Sequence, residues 1–100
     1  MSEHLNMDVD GDMPPEAFSE PLKALWWLKK GSLKLGPEWE RAHAICQQDE
    51  GNPDHDWVHA LCHLIEEDFG NAAYWFRRAR KPSENRDVAA IWNEVAASLS

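Results

Sequence analysis

The segment from Asn52 to Glu67 most restricts the folds open to this chain. Asn52 can cap a helix, Pro53 suits a first helical position, and Asp54 and Asp56 favour the positive end of the helix dipole. Apolar residues then cover most of the helix circumference: Trp57, Val58, Ala60, Leu61, Cys62, Leu64 and Ile65. A helix that is apolar on nearly every side is central and buried. The segment therefore predicts a fold in which other helices surround this one.

Four further segments have helical periodicity, and no segment alternates apolar and polar residues with a period of two. These helices are predicted to begin after Ser19, at Pro37, near Asp68 and after Ser83, where capping residues or a proline precede apolar stripes. Similar aromatic-to-alanine spacings in the second and fourth helices indicate two related hairpins. The sequence predicts an all-α fold of about five helices, with two hairpins and a C-terminal capping helix.

Residues 1–18 are polar and acidic and offer little surface to bury. This composition predicts a flexible acidic tail, followed by a single domain over residues 19–100. The aspartates between Asp8 and Asp12 lack the glycine and glutamate spacing of an EF-hand, so a calcium loop is not expected.

Charge and cysteine usage restrict the partners and the compartment. The chain has 18 acidic and 10 basic residues, a formal charge of −8, which disfavours nucleic acid as a partner. Cys46 and Cys62 lie within apolar helical patterns, as buried free thiols do. Without a signal sequence or an apolar run that could span a membrane, the expected location is the cytoplasm.

The fourth helix carries a family resemblance. Ala72, Phe76, Ala79 and Pro82 are spaced as A-x3-F with a later alanine and proline, which resembles the second helix of a tetratricopeptide or Sel1-like repeat. That resemblance implies stacked helical hairpins.

A second resemblance covers about residues 22–82. The motif W-V-H-A-x-x-H begins at Trp57, and N-A-x-Y-W-F-R-R-A begins at Asn71. Together they resemble a family of short all-helical proteins without an established activity. The resemblance implies a fold and no mechanism.

Histidines on the central helix are candidate metal ligands. His55, His59 and His63 follow one another at intervals of four, and Glu66 lies near the same line. Imidazoles at positions i and i+4 point the same way and can share a zinc or nickel ion. His59, His63 and Glu66 are therefore the candidate ligands, with His43 as a possible fourth. The alternative is that His59 and His63 are packed structural rings, with His55 exposed.

The same region also predicts a binding surface. Trp57, His59 and His63 are expected to face a groove, with the polar and basic side chains of the fourth helix at its edge: Tyr74, Arg77 and Arg78. The leading hypothesis is a non-enzymatic adaptor, monomeric or homodimeric and without a cofactor, that binds an unknown protein or peptide. A metal-binding protein is the alternative. A small enzyme acting around His59 and His63, with Cys62 as a nucleophile, is a weaker one.

Overall fold

A computed structural model describes residues 7–100 and contains five α-helices. They are α1 (Glu20–Lys30), α2 (Pro37–Gln47), α3 (Pro53–Ile65), α4 (Phe69–Arg78) and α5 (Val88–Leu99). The described part of the chain has no strand, so the predicted all-α class with five helices is confirmed. Within residues 7–100, no helix is long and apolar enough to cross a membrane.

The central position predicted for α3 is confirmed. Ten of its thirteen residues are buried, and it packs against each of the other four helices. Its most extensive neighbour is α4, while α1 packs chiefly against α2. Helices adjacent in sequence thus form two pairs, and α2 is held against the face of α3 that carries its histidines. The likeness of these pairs to tetratricopeptide or Sel1-like repeats stays a prediction.

The last helix closes the core formed by α1 and α3. It packs against both of them, and buried Trp92 donates a hydrogen bond from its indole Nε1 to the carbonyl of Leu25 at 2.9 Å. Ile91, Val95 and Ala96 are buried on the same helix. This is the packing expected for a C-terminal capping helix.

Four helices begin where the sequence predicts, α2 among them at Pro37, and one does not. The side chains of Ser19, Asn52 and Asp68 accept hydrogen bonds from the first-turn amides of α1, α3 and α4. Ser83 does not cap α5, because its Oγ accepts from the amide of Asn85 in the preceding loop. The cap of α5 is Asp87, so the predicted start of that helix was too early.

Glycine at position 31 is required by close packing between α1 and α2. A Cβ added to Gly31 would lie 2.8 Å from the Cβ of Glu38. Its φ is −85°, and the left-handed residues of this turn are Ser32 and Leu33. Gly31 thus lets α2 begin close to the end of α1, which helps to position α2 against α3.

Residues 7–9 contact α1, although residues 1–18 were expected to be a flexible tail. Trp26 Nε1 donates to the carbonyl of Asp8 at 2.9 Å, and Lys30 Nζ donates to that of Val9 at 2.9 Å. The side chains of Met7 and Val9 pack against the core. Residues 7–9 are therefore held against α1, while the predicted domain start at residue 19 stays a prediction. The part of the tail prediction that concerns residues 1–6 lies outside the described residues.

Candidate metal site

Three histidine rings meet where α2 packs against α3. Ring centroids are 4.8 Å apart for His43 and His59, 5.4 Å for His43 and His63, and 4.9 Å for His59 and His63. One ring nitrogen from each histidine lies within 4.8 Å of one from each of the others. His59 and His63 share a face because they are one helical turn apart. We call these three residues the histidine cluster.

Two tryptophans stack on rings of the histidine cluster, one on His43 and one on His59. Trp39, one turn before His43 on α2, stacks on it at 4.8 Å with an interplanar angle of 10°. Trp39 Nε1 also donates to the carbonyl of Cys62 at 2.9 Å, which ties α2 to α3. On the other side, Trp75 of α4 stacks on His59 at 4.0 Å. These contacts restrict the orientation of both imidazoles.

Glu66 orients His63 through a contact with its Nδ1 atom. Its Oε1 lies 2.5 Å from His63 Nδ1, and Glu66 is the C-cap residue of α3. A neutral imidazole that donates from Nδ1 to a carboxylate keeps the lone pair of its Nε2. Histidines that bind metals through one nitrogen commonly donate the other N–H to a carboxylate. The geometry thus gives Glu66 the position of an outer partner of His63.

Burial keeps His43 and His59 neutral. Desolvation, followed by the neighbouring His43 and His63, lowers the pKa of His59 to about 3. The pKa of His43 is also lowered, first by desolvation and then by His63. Neutral imidazole is the form that binds metal ions, because protonation occupies the lone pair. At neutral pH these two rings are therefore ready to act as ligands.

Two nitrogens of the cluster lack a hydrogen-bond partner within the described part of the chain. They are His43 Nε2 and His59 Nδ1, and both atoms are buried. A buried polar atom without a partner destabilises the fold by about 1–3 kcal/mol. A bound ion would satisfy such atoms.

The spacing of the cluster suits a small transition-metal ion. Zinc binds histidine nitrogens at about 2.0–2.1 Å, which places two tetrahedral ligands about 3.4 Å apart. The ring nitrogens of the cluster lie within 4.8 Å of one another. The rings must therefore approach by at most about 1.4 Å to hold an ion.

The structure does not bring His59, His63 and Glu66 together as a single group of ligands. The residues described form two candidate groups, the histidine cluster and a set of His63, Glu66 and Asp68. The carboxylate of Asp68 is exposed and already accepts from the backbone and side chain of Asn71, as the cap of α4. The histidine cluster thus differs from the predicted group of candidate ligands by having His43 in place of Glu66.

His55 is separate from the histidine cluster. It was predicted to be exposed and is in fact buried, with 8% of its surface accessible. Its Nδ1 lies 3.9 Å from Asp49 Oδ2 in the loop before α3. The exposure prediction failed because the turn formed by Asp49 to Gly51 folds back over the first turn of α3, where Gly51 N donates to Asp56 at 3.1 Å.

The predicted binding residues divide into buried and exposed sets. Trp57 and His59 are 5% and 2% accessible, so they do not line an open groove. Tyr74, Arg77 and Arg78 are exposed on α4. Arg78 donates to the hydroxyl of Tyr74 at 2.9 Å and lies over the ring of Trp75 at 5.0 Å. The exposed set forms a basic edge, which is separated from the cluster by Trp75.

The two cysteines form a contact between α2 and α3. Burial, followed by a hydrogen bond with Cys46, raises the pKa of the Cys62 thiol. A protonated, fully buried thiol is a poor nucleophile. Cys62 lies between His59 and His63 in the sequence of α3, so this contact joins α2 and α3 in the same region as the cluster.

Sequence reasoning missed the two tryptophans that flank the cluster. Trp39 carried a readable signal, because it precedes His43 by four residues and must share its face. The stacking of Trp75 on His59 depends on the packing of α4 and has no such local signal. Comparison of the chain with protein-family models, curated proteins and solved structures gave no match.

Proposed function

We propose that this protein binds a divalent transition-metal ion, zinc before nickel, through His43, His59 and His63. One observation carries the proposal: three imidazoles from two helices converge, and ring nitrogens on two of them are buried without hydrogen-bond partners in residues 7–100. Imidazole is a common ligand for zinc, nickel and copper. Glu66 supports the site by fixing the tautomer of His63.

A purely structural role for the three rings is the competing explanation. The stacking on Trp39 and Trp75 would contribute to stability in either case. Apolar side chains would fill the same volume without leaving buried nitrogens unpaired, each of which costs about 1–3 kcal/mol. The pairing of His63 with Glu66 also has a direct use in a metal site, because it leaves Nε2 available.

Metal content of the purified, untagged protein tests the proposal. We expect near-stoichiometric zinc and a melting temperature that falls with chelator and recovers with added zinc. An ion at 100 times its dissociation constant stabilises the folded state by about 2.7 kcal/mol. His43→Ala, His59→Ala and His63→Ala should each abolish this response. His55→Ala is the matched control, since His55 lies on the same stripe of α3 outside the cluster.

Two results would contradict the metal proposal. One is a metal-free protein whose melt is indifferent to chelator and to zinc. The other is an equal zinc response in wild type and in His59→Ala.

The basic edge of α4 favours a second function, binding of an acidic peptide. Tyr74 contacts Arg78, and three more exposed cations lie near Arg78 in the sequence at the end of α4: Arg77, Arg80 and Lys81. Among the residues described, none of these cations has a carboxylate within the 4.0 Å of an ion pair. Arginines without a carboxylate partner, on an otherwise acidic protein, suit a ligand with several carboxylates.

A labelled polyglutamate peptide would test this second function. Binding measured by fluorescence polarisation should weaken with salt and with Arg77→Gln plus Arg78→Gln. Lys34→Gln, at another exposed cation, should leave it unchanged. No saturable binding at low salt would refute this function. Both cysteines are free thiols, which favours a reducing compartment such as the cytoplasm for either role.

A further inference from the structure

We infer that the ion in the histidine cluster keeps one coordination position open, and that this position takes water or a small monodentate anion. The inference rests on the proposed metal site. It follows from the number of protein donors that can reach the ion. Closed structural zinc sites have four protein ligands, whereas sites with three protein ligands hold an exchangeable fourth.

No carboxylate completes the site. In the part of the chain that the structure describes, no Asp or Glu lies within 4.8 Å of all three histidine nitrogens. The nearest carboxylate in contact with the cluster is that of Glu66, whose Oε1 is engaged by His63 Nδ1. Moving Glu66 onto the ion would release that nitrogen and remove the interaction that orients His63. Oε1 cannot accept a hydrogen bond from His63 Nδ1 and bind the ion at the same time.

The cysteines do not complete the metal site either. Neither thiol belongs to the group of close donors among the described residues. Cys62 is adjacent to His63 on α3, and neighbouring side chains on a helix point about 100° apart. Cys62 is instead in contact with Cys46 across the interface, where burial favours the protonated thiol. The protein therefore supplies three nitrogens and no sulfur.

The cluster is least covered on the side of α2. His59 and His63 are buried, whereas His43 and Trp39 on α2 are half-buried. The open position therefore lies toward the outer edge of α2. Two cavities in the described part of the chain, of about 310 and 170 Å³, are lined by other residues. Because the ring nitrogens His43 Nε2 and His59 Nδ1 are buried, a ligand of this position must be small.

Charge favours an anion at the open position. Three neutral imidazoles leave the double charge of the ion uncompensated by its direct ligands. Glu66, in contact with His63, contributes one negative charge from outside the coordination sphere. Azide, cyanide or hydroxide would compensate the remainder.

Cobalt-substituted protein and azide test the inference. Tetrahedral Co²⁺ has intense visible absorption bands that respond to a change of one ligand. We expect one equivalent of Co²⁺ to bind, and azide to shift these bands saturably. His55→Ala should behave as wild type, whereas His43→Ala should lose cobalt or change its spectrum before azide is added.

The possible failures are distinguishable. Bound cobalt whose bands do not change with azide would overturn the open position and leave the metal site standing. A near-ultraviolet thiolate-to-cobalt band that disappears in Cys62→Ser would overturn it as well, because a cysteine would then occupy the fourth position. Absence of cobalt binding, with zinc also unbound, would overturn the metal site and this inference together.

Discussion

At the scale of single residues, the partner of each ring nitrogen decides what a buried histidine can do. Sequence spacing showed that His59 and His63 share a face and that Glu66 is near, and these features are present in the structure. It could not show that Glu66 turns back onto His63 Nδ1, because this depends on the C-cap geometry of α3. It also left His43 as an optional ligand, because the register of α2 against α3 is set by tertiary packing.

Replacement of Glu66 by Gln should weaken zinc binding by about 10- to 100-fold without unfolding the protein, because the charge that supports His63 is lost. Competition with a chromophoric chelator would measure the change in dissociation constant. Glu67→Gln is the matched control, since Glu67 is the exposed neighbour. Equal losses in the two variants would contradict the role of Glu66.

Acid should destabilise the metal-free protein through His59. Its pKa is lowered from 6.5 to about 3 in the folded state, so below pH 6.5 the unfolded chain binds a proton that the folded chain does not. The contribution of neutral His59 to the free energy of unfolding is therefore fully present above pH 6.5. It is lost toward pH 3, by about 1.4 kcal/mol for each pH unit. Neighbouring His43, whose pKa is also lowered, adds to this loss.

Urea unfolding of the metal-free protein between pH 7.5 and 5 would measure this dependence, above the range where most carboxylates titrate. The His59→Gln variant has no titratable ring at position 59, so its free energy of unfolding should decline less steeply as the pH falls. Parallel declines in wild type and His59→Gln would show that His59 does not contribute.

At the scale of helices, local capping rules worked where one candidate residue stood before an apolar stripe. Asn52 followed by Pro53 is such a case, and α3 begins there. Before α5 the chain offers Ser83, Asn85 and Asp87 in succession. The first two accept hydrogen bonds from amides two residues on, at 3.1 and 2.9 Å, and form loop turns. Asp87 caps α5 because it directly precedes Val88, where the apolar stripe begins.

Asp87→Ala should therefore lower the free energy of unfolding by about 1 kcal/mol, the usual effect of losing an N-cap side chain. Ser83→Ala should change it by less than about 0.5 kcal/mol, because Ser83 is half-buried and its side chain does not cap the helix. Chemical denaturation of both variants would measure the two effects. A larger loss in Ser83→Ala would place the cap where the sequence first predicted it.

At the scale of the whole molecule, the sequence predicted the buried centre and did not predict the contacts of residues 7–9 with α1. The apolar circumference of α3 was sufficient to place it at the centre. Part of the contribution of residues 7–9 comes from main-chain carbonyls, which accept hydrogen bonds from Trp26, Lys29 and Lys30. Main-chain contacts of this kind do not appear in a hydropathy pattern.

Val9→Ser should lower the free energy of unfolding by about 1 kcal/mol, since a half-buried valine loses part of its burial energy. Met13→Ser should have little effect, because Met13 is 64% exposed. Equal, negligible changes in both variants would mean that residues 7–9 contribute nothing to the domain, as the flexible-tail prediction holds.

X-ray absorption at the zinc edge tests the central claim most directly, because it identifies the atoms bound to the ion. The zinc-loaded protein should show three imidazole nitrogens and one oxygen ligand at about 2.0–2.1 Å, with no sulfur. The imidazole signal should decrease in His43→Ala and stay unchanged in His55→Ala. Sulfur at about 2.3 Å, or a spectrum without imidazole ligands, would contradict a site made of His43, His59 and His63.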